Sequence, residues 1–205
     1  KNILNTFAIG IKGATDLEYS TKVAEHIGSN HHQVECEEKD FINAIPEVIK
    51  AIESYDTTTI RASVGNYLIA KYIKQNTDIT VVFNGDGSDE VCGGYYYMRN
   101  APSPLDFQNE CNKLLREIHY FDGLRSDRSV STHHSLEART PFLDKEFVEY
   151  YMNIDPELKM YSEKTQEKFL LRKAFESENL IPNDILWRPK EAFSDGCSSE
   201  KRSWH

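Results

Sequence analysis

The sequence lacks any apolar run close to the roughly 20 residues that a helix needs to cross a bilayer. It also lacks the pattern of an N-terminal signal peptide. The chain has 205 residues, of which 39% are hydrophobic, and a mean hydropathy of -0.59. This size and composition are typical of one soluble domain or a large part of one. We therefore expect no membrane partner. Because the chain begins with Lys1, we expect the natural protein to start further upstream.

A surplus of basic residues is also missing. The chain carries 24 Lys and Arg against 33 Asp and Glu, which gives a formal net charge of -9. Proteins that bind nucleic acid depend on basic side chains that displace counterions from the phosphates. We therefore expect no nucleic-acid partner.

Cysteines at metal-binding spacing are absent too. The four cysteines are scattered, at Cys36, Cys92, Cys111 and Cys197. No two of them form a Cys-x-x-Cys pair, and this usage is typical of a reduced, intracellular protein, so a cytoplasmic location is expected. The adjacent histidine pairs at 31–32 and 133–134 lack the spacing of zinc ligands, and no zinc site is predicted.

The most informative segment is residues 81–90, with the sequence VVFNGDGSDE. Its apolar start is typical of a buried strand. Gly85 and Gly87 allow a sharp turn and a close approach to a ligand. Ser88 and the two acidic residues after it then stand where a helix would begin. In an open α/β sheet, ligands bind just beyond the carboxyl ends of the strands, so this turn is the first candidate for a functional site.

The acidic residues of this turn have two interpretations. Asp86, Asp89 and Glu90 lie within five positions and repel one another unless a cation or a basic ligand lies among them. A magnesium ion that bridges phosphate oxygens would satisfy them. A Gly-Asp-Gly sequence after a strand is also common as a simple turn.

The hydrophobic pattern predicts an alternation of strands and helices up to residue 100. Strands are predicted at 3–9, 31–36 and 79–84, and helices at 16–27, 39–52 and 62–75, with Gly28 as a helix stop and Pro46 as a kink or early break. This order indicates an α/β fold with a parallel sheet and right-handed crossovers. After residue 102 no further strand is predicted. Helices are predicted at 104–120, 121–132, 145–153 and 165–178, and an exposed loop at 156–165.

Two segments outside this turn carry candidate ligand-binding cations. Three threonines at 57–59 are followed by Arg61, a fixed cation suited to carboxylate or phosphate. The alternative is a capped helix start with a solvated arginine. Lys190 lies in an irregular segment, 180–196, rich in Trp, Arg, Lys and Phe, which is more typical of a binding loop than of a linker. Lys190 could shield phosphate charge or act as a general acid, or it could be an ordinary surface lysine.

Five segments together resemble one family. They are 6–10 (TFAIG), 55–63 (YDTTTIRAS), 85–90 (GDGSDE), 136–144 (LEARTPFLD) and 187–196 (WRPKEAFSDG). The same segments occur in the same order in glutamine-hydrolysing asparagine synthetases, and the resemblance spans essentially the whole chain. The last segment is more similar to these enzymes than to the related β-lactam synthetases.

The resemblance implies a fold and a reaction. The fold would be a parallel-sheet domain of the adenine nucleotide alpha-hydrolase-like (ATP pyrophosphatase) type, followed by a mostly helical C-terminal part. The chain would be a single partial synthetase domain over 1–205, with the sheet in 1–100 and the helical part and substrate loop in 101–205. Such a domain binds ATP, aspartate and Mg²⁺. It adenylates the aspartate side chain with release of pyrophosphate, and ammonia then displaces AMP to give asparagine.

The resemblance also implies roles for individual residues. The expected ATP-binding residues are Ile9, through its backbone, Asn84 and Gly85. The expected substrate- or phosphate-binding residues are Thr58, Thr59 and Arg61, with Asp122 and Arg125 as candidates for substrate orientation. Asp86 would stand near the aspartyl-AMP intermediate, Asp89 would hold magnesium, and Lys190 would neutralise charge on the departing phosphates. The expected catalytic residues are thus Lys190, Asp86 and Arg61.

The chain departs from the family pattern in two substitutions and two missing parts. Asn84 replaces a serine and Asp86 replaces a glutamate that is one methylene longer. The pyrophosphate loop, Ser-Gly-Gly-Leu-Asp-Ser, is expected before the first strand and is not found. The glutaminase domain, which supplies ammonia from glutamine and uses a cysteine nucleophile, is not found either. We therefore expect an internal piece of a longer enzyme that does not make asparagine alone.

Two other functions fit the same sequence. One is a related adenylating enzyme of the β-lactam synthetase type, and the other is a catalytically inactive nucleotide-binding relic. A homodimer is one assembly that the resemblance allows, and the sequence alone does not specify it.

Overall fold

The computed structural model describes residues 3–120, 127–162, 165–199 and 203–204. The strands are β1 (Asn5–Ile11), β2 (Asn30–Cys36), β3 (Val81–Phe83) and β4 (Glu137–Arg139). The longer helices are α1 (Thr15–Ile27), α2 (Glu38–Ile52), α3 (Thr57–Asn76), α5 (Pro104–Glu117) and α6 (Lys145–Met152). The shorter helices are α4 (Ser88–Cys92), α7 (Pro156–Lys159), α8 (Phe169–Phe175), α9 (Asn183–Leu186) and α10 (Phe193–Gly196), and a π-helical turn covers Asp127–Thr132.

The chain divides into two compact units. The first unit comprises Lys1–Val82, Gly123–Ala138 and Glu191–His205, and the second comprises Phe83–Asp122 and Arg139–Lys190. The expectation of one partial domain, with a sheet part and a helical part, stays a prediction.

The first unit begins with a strand-helix-strand arrangement, as predicted. Strand β1 pairs with β2 in parallel, from Asn5 beside Asn30 to Ile11 beside Cys36, and α1 connects the two. Helix α1 ends at Ile27 and is capped by Gly28, whose left-handed backbone (φ 68°) lets its N–H bond to the last carbonyls of the helix. Parallel strands together with predominantly helical structure confirm the predicted α/β class.

A second pair of strands, β3 and β4, corrects the prediction that no strand follows residue 102. The N–H of Glu137 donates to the carbonyl of Thr80 at 2.7 Å, and the N–H of Asn84 donates to the carbonyl of Arg139 at 3.0 Å. Both strands run in the same direction between these two hydrogen bonds, so the pair is parallel. Strand β4 has only three residues, too few to show the alternation from which strands are predicted. It forms because β3 supplies hydrogen-bond partners.

The hydrophobic core of the first unit lies between the β1–β2 sheet and helices α2 and α3. Its buried members are Ile9, Ile11, Phe41, Ala44, Val48, Ile52, Val64, Tyr67, Cys197 and Trp204. Helix α2 places Phe41, Val48 and Ile52 on one buried stripe. It continues through Pro46 to Ile52, so the predicted early break is wrong.

Helix α3 begins at Thr57, five residues before the predicted start. Asp56 is its N-cap, and one carboxylate oxygen accepts hydrogen bonds from both the N–H and the hydroxyl of Thr59, each at 2.7 Å. We expect Asp56→Ala to destabilise the protein by about 1 kcal/mol, because the cap satisfies an otherwise free helix donor. Urea unfolding would measure this loss. Asp78→Ala, at an exposed position beyond the helix, is the control, and an equal loss in both variants would contradict the assignment.

A cluster of titratable groups joins α2, α3 and the residues after the π-helical turn. The hydroxyl of Tyr67 donates to Glu47 Oε2 at 3.0 Å and lies 2.9 Å from His133 Nε2. Since the single hydroxyl proton goes to the carboxylate, His133 Nε2 is the donor to the tyrosine oxygen. The ring of His134 lies 4.6 Å from the ring of Tyr67. Burial, followed by the positive charges of His133 and Lys71, lowers the pKa of His134 to about 4.

The lowered pKa of His134 predicts that the stability of the protein depends on pH. The folded state disfavours the charged form of His134, so the unfolded state binds the proton first as the pH falls. Stability should be full above about pH 6.5, decline towards about pH 4 and change no further through this group below that. Thermal unfolding between pH 4 and 7.5 would show a weaker dependence for His134→Gln than for wild type. His26→Gln, at an exposed position on α1, should retain the wild-type slope, and an unchanged slope in His134→Gln would refute the assignment.

The second unit is helical, with two apolar clusters. Their buried members are Met98, Phe107, Cys111 and Tyr161 in one, and Val91, Cys92 and Tyr151 in the other. The prediction of an exposed loop over 156–165 is wrong for Pro156–Lys159, which form helix α7, and Lys159 is buried as well. That side chain is 2% exposed and donates to Gln108 Oε1 at 2.6 Å and to the carbonyl of Tyr151 at 3.2 Å. Burial lowers the pKa of Lys159.

None of the described helices combines the length and the apolarity that crossing a membrane requires. No group of three or more His, Cys, Asp or Glu within the described ranges is placed to hold a metal ion. The four cysteines are free, and all but Cys36 are buried.

Candidate active site

The predicted strand-turn-helix around Gly85 and Gly87 is present in the structure. Strand β3 leads into the turn at 84–87, and α4 starts at Ser88. Gly87 has a left-handed backbone (φ 87°), and a Cβ atom there would lie 2.3 Å from Leu143 Cδ2. A Cβ on Gly85 would meet no described atom within 4 Å. Gly87 is therefore the glycine that the backbone of the turn requires, and Gly85 leaves open space above the turn.

The side chain of Asn84 closes the turn. Its Oδ1 accepts a hydrogen bond from the N–H of Asp86 at 3.2 Å, as asparagine does in many turns. Asp86 itself is half-buried. The side chain of Asn84 therefore stabilises the turn through a hydrogen bond that its backbone alone would not supply.

Asp89, in the first turn of α4, forms an ion triad with Lys168 and Lys190. Lys168 Nζ lies 2.7 Å from Asp89 Oδ1, and Lys190 Nζ lies 3.0 Å from Asp89 Oδ2. The three side chains are between 18% and 20% exposed, so Lys190 is not a solvated surface lysine. Burial raises the pKa of Asp89, but the two ammonium groups outweigh it and hold this pKa below its usual range. Asp89 is therefore ionised at neutral pH.

Several tyrosines fix Lys190 within the second unit. The ammonium of Lys190 lies over the ring of Tyr95, 5.3 Å from its centre. Tyr96 donates to the carbonyl of Lys190 at 2.8 Å. The hydroxyl of Tyr95 donates to Glu90, and Tyr161 donates to the carbonyl of Tyr95 at 2.6 Å. These contacts orient the lysine at both its backbone and its side chain.

Four of the predicted site residues belong to the first unit. Ile9 is buried in β1, and its carbonyl accepts a hydrogen bond from the Cys197 thiol at 3.2 Å. Thr58 is exposed, whereas Thr59 is buried and bonded to its helix cap. Arg61 is half-buried on α3. Their predicted roles in binding nucleotide or substrate stay predictions.

The remaining predicted residues belong to the second unit or lie outside the described residues. Within the second unit the structure brings together Asp89 and Lys190, which are 101 positions apart in sequence. Asp122 and Arg125 lie outside the described residues. Sequence reasoning missed Lys168, Tyr95 and Tyr161. Lys168 directly precedes α8 and belongs to none of the five segments that carry the family resemblance, so no local signal identified it.

The described residues do not form a magnesium site on their own. Asp89 offers one carboxylate, and both of its oxygens lie against ammonium groups. Mg²⁺ needs several oxygen ligands in near-octahedral geometry, and no cluster of three such side chains occurs in the described part of the chain. The predicted role of Asp89 as a metal ligand stays a prediction.

These observations define an α/β protein with a half-buried lysine-carboxylate triad beside a glycine-rich acidic turn. Comparison with known proteins then places the chain in a family. The family model described as Asparagine synthase matches residues 1–112 and 100–203. The chain belongs to this family, which confirms the resemblance found in the sequence.

The curated relatives that the chain matches are named as asparagine synthetases. The chain is 53% identical over 201 residues to asparagine synthetase [glutamine-hydrolyzing] of Homo sapiens. It is 51% identical over 201 residues to the protein of that name from Gallus gallus and also to that from Mus musculus. Each match covers 98% of this chain and 36% of the relative. The chain thus spans about a third of the length of these relatives.

Proposed function

We propose that the chain is part of an enzyme that makes asparagine from aspartate with ATP. The observation that carries this proposal is the ion triad. Two segments singled out separately in the sequence, the acidic turn and the final irregular segment, meet there through Asp89 and Lys190. Membership of the Asparagine synthase family supports the same reaction. The β1–β2 parallel pair supports, more broadly, a fold of the adenine nucleotide alpha-hydrolase-like type.

The proposed first step is adenylation. A side-chain carboxylate oxygen of aspartate attacks the α-phosphorus of ATP, the bond from that phosphorus to the bridging oxygen breaks, and pyrophosphate leaves. Lys190 neutralises the charge that develops on the leaving pyrophosphate, which is electrostatic stabilisation by a preplaced cation. The cation-binding face of Tyr95 and the carboxylate of Asp89 hold this ammonium in place.

The proposed second step is displacement of AMP. The nitrogen of ammonia attacks the acyl carbon of aspartyl-AMP, the carbon-oxygen bond to the phosphate breaks, and AMP leaves. Asp86 is proposed to lie near this intermediate, Asn84 and Gly85 to line the nucleotide pocket, and Arg61 with the threonines before it to bind substrate. The open space above Gly85 is compatible with close approach of a nucleotide.

The nitrogen donor, the metal and the cellular setting are part of the same proposal. Glutamine would supply ammonia through a glutaminase domain in the full-length parent, in a cytoplasmic enzyme that assembles as a homodimer. Magnesium would enter bound to the phosphates of ATP. The printed name of the relatives, with its reference to glutamine hydrolysis, supports this donor.

Isotope transfer would test the adenylation chemistry. The full-length parent would be supplied with ATP, ammonia and aspartate carrying ¹⁸O in both side-chain oxygens. Attack at the α-phosphorus places one ¹⁸O in the released AMP, which mass spectrometry detects. Label in inorganic phosphate instead would show attack at the γ-phosphorus, and the adenylation proposal would then be wrong.

A substrate panel in the same assay separates the alternative functions. Asparagine formation that requires aspartate supports the proposal. Activity only with a longer β-amino acid would support an enzyme of the β-lactam synthetase type. A folded parent that binds ATP and transfers no label to any product would support the inactive relic.

A further inference from the structure

Glu167 and Arg172 form a largely buried ion pair within the second unit, outside the triad. The side chain of Glu167 is 3% exposed and that of Arg172 is 14% exposed. Arg172 Nη2 donates to Glu167 Oε1 at 2.5 Å, and Arg172 Nε donates to the carbonyl of Glu167 at 2.8 Å. Between them, Lys168 has a left-handed backbone (φ 56°) at the start of α8. Two of the three guanidinium nitrogens are therefore fixed by one residue.

The third nitrogen of Arg172 contacts a different segment. Its Nη1 donates to the carbonyl of Leu186, the last residue of α9. The last carbonyls of a helix have no partner within that helix, so this contact satisfies a group that would otherwise need water. A guanidinium holds its nitrogens in one rigid plane. Arg172 therefore fixes the end of α9 relative to α8.

The end of α9 leads directly to Lys190. Residues 188–190 have no regular secondary structure, so their path depends on contacts with other segments. Arg172 provides one such contact at Leu186, and Tyr96 provides another, because its hydroxyl donates to the carbonyl of Lys190 at 2.8 Å. The contact made by Tyr96 is exposed, whereas Arg172 is largely buried. Since a hydrogen bond is electrostatically stronger away from water, Arg172 is the firmer of these two anchors.

Stability alone does not account for the burial of this pair. Taking two charges out of water costs free energy, and well-packed apolar residues of similar volume often give equal or greater stability. Apolar residues, however, would not fix the Leu186 carbonyl at one place. A guanidinium that bonds to two segments specifies a single arrangement of both. The feature that the pair supplies is therefore the placement of the segment that follows Leu186.

We propose that Arg172 is a positioning residue for Lys190 and that Glu167 holds it in this role. The proposal rests on the function proposed above, in which Lys190 neutralises charge on the leaving pyrophosphate. Arg172 acts through the segment that begins at Leu186, not through contact with substrate. By fixing the start of this segment, it keeps the Lys190 ammonium in its place beside Asp89. A displacement of a catalytic group by about 1 Å can cost about 100-fold in rate.

Arg172→Lys tests this role in the full-length parent, with Arg116→Lys as the matched control at an exposed position on α5. A lysine keeps a positive charge near Glu167 but lacks the planar fork that also contacts Leu186. We expect kcat for aspartate-dependent pyrophosphate exchange to fall by about 10- to 100-fold, with the KM for aspartate within about twofold of wild type. Arg116→Lys should stay within about twofold in both constants.

A double-mutant cycle distinguishes positioning from a general structural role. In the Lys190→Ala background, the lysine that Arg172 positions is already absent. Adding Arg172→Lys there should lower kcat by no more than about twofold further. A further loss as large as the loss in the wild-type background would overturn the proposal, because Arg172 would then act independently of Lys190.

Replacing the whole pair covers the case in which Arg172→Lys folds poorly. Glu167→Met combined with Arg172→Met leaves no unpaired buried charge, so this double variant should fold. Its exchange rate should fall as expected for Arg172→Lys. A folded double variant with the wild-type exchange rate would overturn the proposal.

Chemical labelling reports the placement of Lys190 without any turnover. Acetic anhydride acylates accessible amines, and mass spectrometry measures the rate at each lysine. Lys190 is 18% exposed and pairs with Asp89, so it should react slowly in wild type and several-fold faster in Arg172→Lys, relative to the exposed Lys113. An unchanged rate at Lys190 would overturn the positioning role. If the rate rises but the wild-type parent adenylates no aspartate, the proposed function fails and the positioning role stands.

Discussion

Lys190→Ala should reduce aspartate-dependent exchange between pyrophosphate and ATP by about 10²- to 10³-fold in the full-length parent. The variant removes an ammonium that is fixed 3.0 Å from Asp89 and over the ring of Tyr95. A cation held in a largely buried site stabilises developing phosphate charge more than a mobile one in water would. The loss should appear mainly in kcat, since the charge on the leaving group is greatest in the transition state.

Two further variants serve as controls for the effect of Lys190→Ala. Lys173→Ala, which changes an exposed lysine, should retain exchange within about twofold. Lys190→Arg keeps the charge but changes its shape and reach, and should restore only part of the rate. A folded Lys190→Ala protein with wild-type exchange would show that this lysine is not catalytic.

Gly87→Ala should destabilise the protein by about 2–4 kcal/mol, and the matched change Gly85→Ala by no more than about 0.5 kcal/mol. At Gly87 an added Cβ meets both a left-handed backbone and the side chain of Leu143 at 2.3 Å. At Gly85, two residues earlier, φ is not positive and the space is open. Urea unfolding of the two variants would measure the difference.

The Gly85→Ala variant also distinguishes an effect on ATP binding from an effect on stability. Gly85→Ala should fold normally but weaken ATP binding if the nucleotide approaches the backbone above this residue. Equal losses of stability in the two variants would contradict the geometry of the turn. Unchanged ATP affinity in Gly85→Ala would show that Gly85 does not line the nucleotide pocket.

The elements that the sequence predicted are those whose signals are local. Helix α1 has an apolar stripe and ends at Gly28, and both features lie within one segment. Strand β4 has only three residues and depends on hydrogen bonds to β3, which no local pattern reveals. Helix α3 starts at Thr57 because Asp56 caps it. Threonines disfavour helix interiors, but this cap outweighs their weak intrinsic preference.

Only part of the candidate site was predictable from the sequence, and the contacts between its residues were not. Asp89 and Lys190 each lie in a distinctive segment, yet their contact joins positions 101 residues apart. Lys168 has an ordinary sequence setting, and its backbone conformation and ion pair emerge only from the folded second unit. Lys159 was missed for the same reason, since its burial depends on Gln108 and the end of α6.

The role of the triad in adenylation is tested most directly by exchange of labelled pyrophosphate into ATP by the full-length parent, with magnesium, in the presence and absence of aspartate. We expect exchange that requires aspartate and that is lost in Lys190→Ala. Exchange that proceeds equally without aspartate, or none from a folded parent that binds ATP, would contradict the assignment of the Asp89–Lys168–Lys190 triad to an aspartate-adenylating site.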